Sequence, residues 1–458
     1  MTDANSPWAA RDVRATFPLF TDLPSQAAYG SVVIERGEGC YVYDTEGRRY
    51  FEGNSGLWNV SLGFSEHRLA AAAARQYAQF PGYHSFFGRN SRTAVQLAER
   101  MLELAPVPMS RVFFTNSGSE ANDSVAKLLW YVWRAEGQPQ RRKLLYRRGA
   151  YHGSTVLASS LTGKDYIRAF GLPMPECIEL ACPHLWRYGR PGEDEAAFTA
   201  RLLQNLEAVI AREGAETIAG FWAEPIMGAG GVIVPPQAYF TAIQPVLARH
   251  GIPLVADEVI CGFGRTGHLW GSQAFGLKPD ILVASKTMSA GYFPVGAVML
   301  SKEIDERAIH ASRSIEEFPH GHTTGGHPVG AAVSLEAIRI ITEEGVIERV
   351  RTASGAFWQR LAALQASHPM VGEARGMGLM AALEIVGDKA ARTAFPSTLR
   401  VGERIVAGAR RRGLIVRPLG SAVVLAPPFI STDRELAQML DVIEEVLDEV
   451  GREVAGQA

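Results

Sequence analysis

Between residues 111 and 300, short apolar, β-branched runs alternate with longer stretches of helical periodicity. The runs at Arg111–Thr115 (RVFFT), Lys143–Arg147 (KLLYR), 218–224 (IAGFWAE), 252–257 (IPLVAD), 280–285 (DILVAS) and 295–300 (VGAVML) predict strands. Residues 121–135 and 236–250 predict helices between them. Such alternation builds βαβ units and a largely parallel sheet with helices on both faces. Ligands of these sheets bind beyond the carboxyl ends of the strands, so the residues just after each strand are the ones to inspect. The flanks have another rhythm. Residues 32–51 read as short antiparallel strands with a turn at Glu46 and Gly47, and 328–344 as a long helix. The tail alternates helices with strands at 379–384, 414–417 and 422–426. The expected class is α/β, with a large domain over residues 61–330. A small α+β domain is expected from residues 1–60 together with 331–458.

Composition narrows the partners. A formal net charge of −2 gives no basic stripe, so no nucleic acid is expected. Four cysteines (Cys40, Cys177, Cys182 and Cys261) lie apart without a CxxC pair, which indicates neither a disulfide framework nor a zinc ribbon. The N-terminal MTDANSPWAARDVRATF lacks a signal-peptide core, and no 18-residue apolar run occurs. The expectation is a cytoplasmic globular protein without a membrane anchor.

Three clusters follow strands. Thr115-Asn116-Ser117-Gly118-Ser119-Glu120 precedes a helix, whose first N–H groups and positive dipole end suit a phosphate. Ser117 and Glu120 also have the spacing of a plain capping box. Asp257 closes an apolar strand in ADEV, where a carboxylate holds a protonated ring nitrogen or merely caps a turn. Lys286 closes DILVAS, where partial desolvation lowers an amine's pKa and frees it as a nucleophile. Asp257 and Lys286 are one crossover apart.

Two other patterns are weaker. Residues 262–267 (GFGRTG) match G-x-G-x-x-G, but no helical periodicity follows, and the next acid, Asp280, begins its strand. A nicotinamide enzyme is therefore a distant alternative. His320, His322 and His327 lie in loop-like PHGHTTGGHP with no acidic partner in a known metal spacing, so no metal is expected.

Together these residues resemble the class III (ω-amino acid, amine:pyruvate) aminotransferases, pyridoxal-phosphate enzymes of fold type I. The resemblance runs from about Gly53 to Pro428 through TNSGSEAND, AYHGS, AEPIMGAGGVIVPP, LVADEVICGFGRTG, PDILVASK and HTTGGHPVGAA, in the family's order. It implies pyridoxal 5′-phosphate as cofactor. Lys286 would bond to the cofactor aldehyde and shuttle the substrate proton, and Asp257 would pair with the pyridine nitrogen. Ser117, Gly118 and Ser119 would hold the phosphate, with Thr323 reaching it from a neighbouring subunit. Tyr151 and Val259 would cover the two ring faces, and Glu224 would buttress the polar edge.

Trp58, Phe86, Phe87 and Tyr166 resemble the aromatic substrate wall of amine:pyruvate members, and Arg417 the arginine that binds the substrate carboxylate. The sequence departs from many members at Thr287, in a long 313–322 segment, and at Thr324-Gly325, all near the rim of the site. The implied activity is ping-pong transfer of an amino group from an amine or ω-amino acid to pyruvate or a similar 2-oxo acid. An aminomutase or racemase would use the same lysine. The implied assembly is a homodimer, or a dimer of dimers, with shared sites.

Overall fold

A computed structural model describes residues 6–455; residues 1–5 and 456–458, the outer ends of the expected small domain, lie outside the described residues. Its centre is a seven-stranded sheet in the order Arg111–Thr115, Gly296–Leu300, Ile281–Ala284, Leu254–Asp257, Ile218–Ala223, Lys143–Arg147, Cys177–Leu180. Gly296–Leu300 pairs antiparallel with both neighbours, and the other pairings are parallel. Ile218–Ala223, Leu254–Asp257 and Ile281–Ala284 are buried at every position, as expected for parallel strands covered on both faces.

The pleat sorts side chains between those faces. Trp222 and Val255 pack with Val125, Leu129 and Val132 of the helix Gly118–Ala135. Phe221, Leu254 and Ala256 pack with Phe198, Leu202 and Phe240 from the helices Glu195–Glu213 and Tyr239–Arg249.

Two four-stranded sheets flank the centre. One has the order Ile34–Glu38, Tyr41–Asp44, Arg49–Glu52, Leu414–Ile415, so residues 32–51 hold three strands and a second turn beyond the predicted one. The other runs Val371–Met377, Met380–Ile385, Ala422–Leu425, Arg417–Leu419. The predicted strand 414–417 is thus divided. Leu414 and Ile415 join one sheet, Val416 is buried between, and Arg417 begins a strand of the other instead of ending one. Among the described residues no helix is long and apolar enough to cross a membrane.

Candidate active site

The strand Arg111–Thr115 delivers the chain to the head of the helix Gly118–Ala135. Ser117 caps that helix, its Oγ accepting from the Glu120 amide at 3.2 Å. The Glu120 carboxylate reaches back to the Asn116 amide at 2.7 Å, one residue earlier than a reciprocal capping box. The cap leaves the helix start open to an anion: the Gly118 and Ser119 amides stay at the first turn without intrahelical partners. Gly118 sits where a Cβ would lie 2.8 Å from Cγ2 of Val259, so only glycine lets the helix start approach that side chain. Ser119 Oγ accepts from the Ser154 amide at 3.0 Å, pinning the loop that carries Tyr151.

Asp257, at the carboxyl end of Leu254–Asp257, is buried and well supplied with donors. Its Oδ2 accepts from Asn122 Nδ2 at 2.9 Å and lies 2.7 Å from Nδ1 of His152, while Oδ1 accepts from the Val259 amide at 3.1 Å. Trp222 Nε1 donates to Asn122 Oδ1 at 3.1 Å, which fixes the amide with its nitrogen toward Asp257. The carboxylate is held rigidly at a strand end, where it can keep a ring nitrogen protonated.

Lys286 follows the next strand, Ile281–Ala284, with a backbone φ of 45°, unusual for a residue with a side chain. Burial lowers its pKa, opposed by the Asp257 and Glu224 carboxylates, and the Arg417 guanidinium lowers it further. Lys286 is thereby placed among the very residues singled out with it. Glu224 follows Ile218–Ala223 and accepts from the Tyr151 and Gly228 amides at 3.0 Å each. Burial raises its pKa. The Tyr151 hydroxyl is also raised by burial, with Arg417, Asp257 and Glu224 acting on it.

The substrate candidates divide. Tyr166 feels the charges of Tyr151 and Arg417, and its ring meets Phe20 edge-on at 5.7 Å. Trp58 is buried, and its carbonyl accepts from Thr287 Oγ1 at 3.4 Å, next to the lysine. The departure at Thr287 therefore ties the lysine segment to the aromatic wall. Phe86 and Phe87 stand 5.8 Å apart in a different setting, an aromatic patch with Tyr83 and His84; Phe87 is 85% exposed. Within this chain Phe86 faces Gly321.

Thr323 is exposed, one residue before Thr324, whose Oγ1 donates to Asn116 Oδ1 at 2.7 Å beside the helix cap. His320 bonds Ser124 Oγ and Lys127 Nζ at 2.8 Å each, and His327 Nδ1 accepts from the Val329 amide at 3.2 Å. These histidines are engaged in loop and cap bonds. Residues 258–270 form successive turns, followed by a helix of four residues, Gly271–Ala274, so the GFGRTG stretch heads no long helix.

The sequence reading missed Asn122 and His152, although both lie inside motifs it used. A polar residue on the otherwise apolar inward face of Gly118–Ala135 was the available signal for Asn122. Lys164 was missed as well; burial lowers its pKa, and Glu224 and Arg417 act on it within the same site.

The donor set fits pyridoxal phosphate. The helix start at Gly118 suits an anion, the anchored Asp257 carboxylate suits a cationic nitrogen, and the buried Lys286 amine feels two carboxylates. Comparison with known proteins agrees. An omega-aminotransferase structure from Paracoccus denitrificans superposes with a TM-score of 0.96 at 51% identity, covering 98% of this chain and 99% of that one. A PMP-bound aminotransferase from Vibrio fluvialis gives the same TM-score, identity and coverage. A mitochondrial gamma aminobutyrate transaminase of Solanum lycopersicum is 43% identical over 425 residues, 92% of this chain and 82% of that protein. The model of the class-III aminotransferase family matches residues 24–447, and the chain belongs to that family, the pyridoxal-phosphate-dependent aminotransferases of fold type I.

Proposed function

We propose that this enzyme is an ω-transaminase that moves an amino group from an amine or ω-amino acid to pyruvate or a similar 2-oxo acid by a ping-pong mechanism. One observation carries the reading: the Arg417 guanidinium acts on Lys286 and also on the hydroxyls of Tyr151 and Tyr166. One cation among apolar rings suits an oxo-acid carboxylate in one half-reaction and an uncharged substituent in the other. The names of the relatives, an omega-aminotransferase and a gamma aminobutyrate transaminase, point to the same donor class.

In this proposal the Gly118 and Ser119 amides and the Ser117 and Ser119 hydroxyls hold the cofactor phosphate. Asp257 keeps the pyridine nitrogen protonated, Tyr151 and Val259 flank the ring, and Glu224 fixes the Tyr151 backbone at the polar edge. When bound, pyridoxal phosphate withdraws electrons from the substrate Cα and so acidifies its proton. Lys286, whose burial favours the neutral amine, takes that proton from Cα and returns it on the other side of the transfer. Trp58 and Tyr166 favour flat or alkyl donors, Phe86 and the exposed Phe87 join that aromatic wall only in the proposed dimer, and Arg417 binds the acceptor carboxylate in a fork.

The reading includes the division into residues 61–330 and a small domain from both ends. It also includes a homodimer, or dimer of dimers, in which the exposed Thr323 completes the partner's phosphate site. Four free, buried thiols support a reducing compartment, the cytoplasm. The test is a panel of amines and ω-amino acids assayed against pyruvate and 2-oxoglutarate, with both products measured. Equal consumption of donor and acceptor supports the proposal. An isomerised donor with no oxo acid consumed would assign an aminomutase or racemase instead.

A further inference from the structure

Glu52 closes the strand Arg49–Glu52 beside Ile415 and is buried. Its Oε1 accepts from the Asn54 amide at 3.1 Å, and the Gly56 amide bonds the same carboxyl group. No Lys, Arg or His among the described residues acts on it; burial pushes its pKa up to about 7. A buried acid without a cation is unfavourable unless its hydrogen bonds are needed.

The turn it serves is strained. Ser55 and Trp58, both with side chains, have φ of 49° and 68°. Such backbone persists only where its surroundings hold it. The turn is laced to the Arg417 region: Gly53 donates to the Ile415 carbonyl at 2.9 Å and accepts from the Ala426 amide at 2.6 Å. The Asn54 side chain, with its amide oriented to satisfy both neighbours, donates to the Val424 carbonyl at 3.0 Å and accepts from the Arg417 amide at 2.8 Å. A chain of bonds thus runs from the Glu52 carboxyl through Asn54 to the backbone of Arg417.

We infer that Glu52 is a positioning residue for the oxo-acid half-reaction, holding the 53–58 turn so that Asn54 fixes the first residue of the Arg417 strand. The inference rests on the reading of Arg417 as the carboxylate ligand. It concerns the acceptor oxygen of residue 52, which glutamine retains and alanine lacks.

The experiment uses the holoenzyme in single-turnover half-reactions with pyruvate and with isopropylamine, a donor lacking both carboxylate and ring. Glu52→Ala should weaken pyruvate saturation roughly tenfold, the loss of one to two buried hydrogen bonds, and change the isopropylamine step far less. Glu52→Gln should restore most of the loss. Asn54→Ala, which cuts the next link, should reproduce it should Glu52→Ala fail to fold. In an Arg417→Ala background, Glu52→Ala should add little. Equal slowing of both half-reactions, no rescue by glutamine, a silent Asn54→Ala, or an effect undiminished without Arg417 would each overturn the inference while leaving the role of Arg417 standing. A silent Arg417→Ala would instead remove that role, and the inference with it.

Discussion

Nδ1 of His152 lies 2.7 Å from Oδ2 of Asp257, and both side chains are buried. With Asn122 on the same oxygen and the Val259 amide on the other, the carboxylate is fixed before any cofactor arrives. Asp257→Asn keeps the shape and removes the charge. It should slow Cα proton removal at least roughly tenfold, because a hydrogen bond to a charged group contributes about 1.5–3 kcal/mol. Stopped-flow measurement with a saturating amine checks this, and a near-normal rate would assign the ring nitrogen to another partner.

Lys286 is the only lysine singled out for covalent chemistry. Borohydride treatment of the holoenzyme should leave the cofactor on the peptide containing Lys286, as read by mass spectrometry. Lys286→Ala should still bind cofactor through the helix start yet lose transamination by roughly 10²–10⁴-fold or more, since nucleophile and proton carrier vanish together. A label on another peptide would contradict the assignment.

The runs at 218–224, 252–257 and 280–285 were legible because strands buried on both faces need continuous apolar side chains. Cys177–Leu180 and Val371–Met377 escaped because partly exposed edge positions and paired charges break that pattern. Arg375 in the second of these pairs with Glu373 and Glu384 and donates to the Gly231 carbonyl, 144 residues away in sequence, so its charge is buried with partners that a strand pattern does not show. Lys286, Asp257 and the Ser117–Ser119 cluster were readable because each directly follows a strand. Their supports were not: Asn122 and His152 meet Asp257, and Trp222 meets Asn122, only across sequence separations of 100 to 135 residues.

The proposed subunit sharing draws on the exposed Thr323, beside a Thr324 that bonds Asn116 at the start of the helix Gly118–Ala135. Thr323→Ala should loosen the cofactor in a dimer of normal size, measured as a raised dissociation constant of the holoenzyme. A fully active monomer in sedimentation at assay dilution would exclude the shared site. Cofactor binding and association should otherwise stabilise each other by mass action.

Stability should carry a pH signature from Glu258. The side chain is buried, and burial pushes its carboxyl from 4.5 up to about 7 although the Gly271 and Ser272 amides donate to it at 2.9 and 2.6 Å. A raised carboxyl pKa favours the protonated acid in the folded chain. That contribution is complete below pH 4.5 and is lost as pH rises through about 7. Relative to Glu258→Gln, the wild-type enzyme should therefore lose roughly 3 kcal/mol across this window, seen as a falling difference in Tm. A difference independent of pH would mean that the amide donors keep the group ionised throughout.

In the proposed reaction, Arg417 decides how one site serves two substrates. It begins the strand Arg417–Leu419 and acts on the charges of Lys286, Tyr151, Lys164 and Tyr166. A guanidinium left facing an apolar amine in a buried site is costly, whereas a carboxylate satisfies it in a fork. Arg417 is half-buried at a strand start, so its long side chain has solvent to swing toward when the donor brings no carboxylate. The expected signature is asymmetric. Arg417→Ala should raise KM for pyruvate by an amount matching roughly 1.5–3 kcal/mol, the contribution of a charge-assisted pair. The half-reaction with 1-phenylethylamine should change much less, because that donor offers the guanidinium nothing to bind. Equal slowing of both half-reactions would make Arg417 a structural support of the site. No change in either would hand the carboxylate to another cation, and Lys164 is a half-buried one on which Glu224 and Arg417 already act.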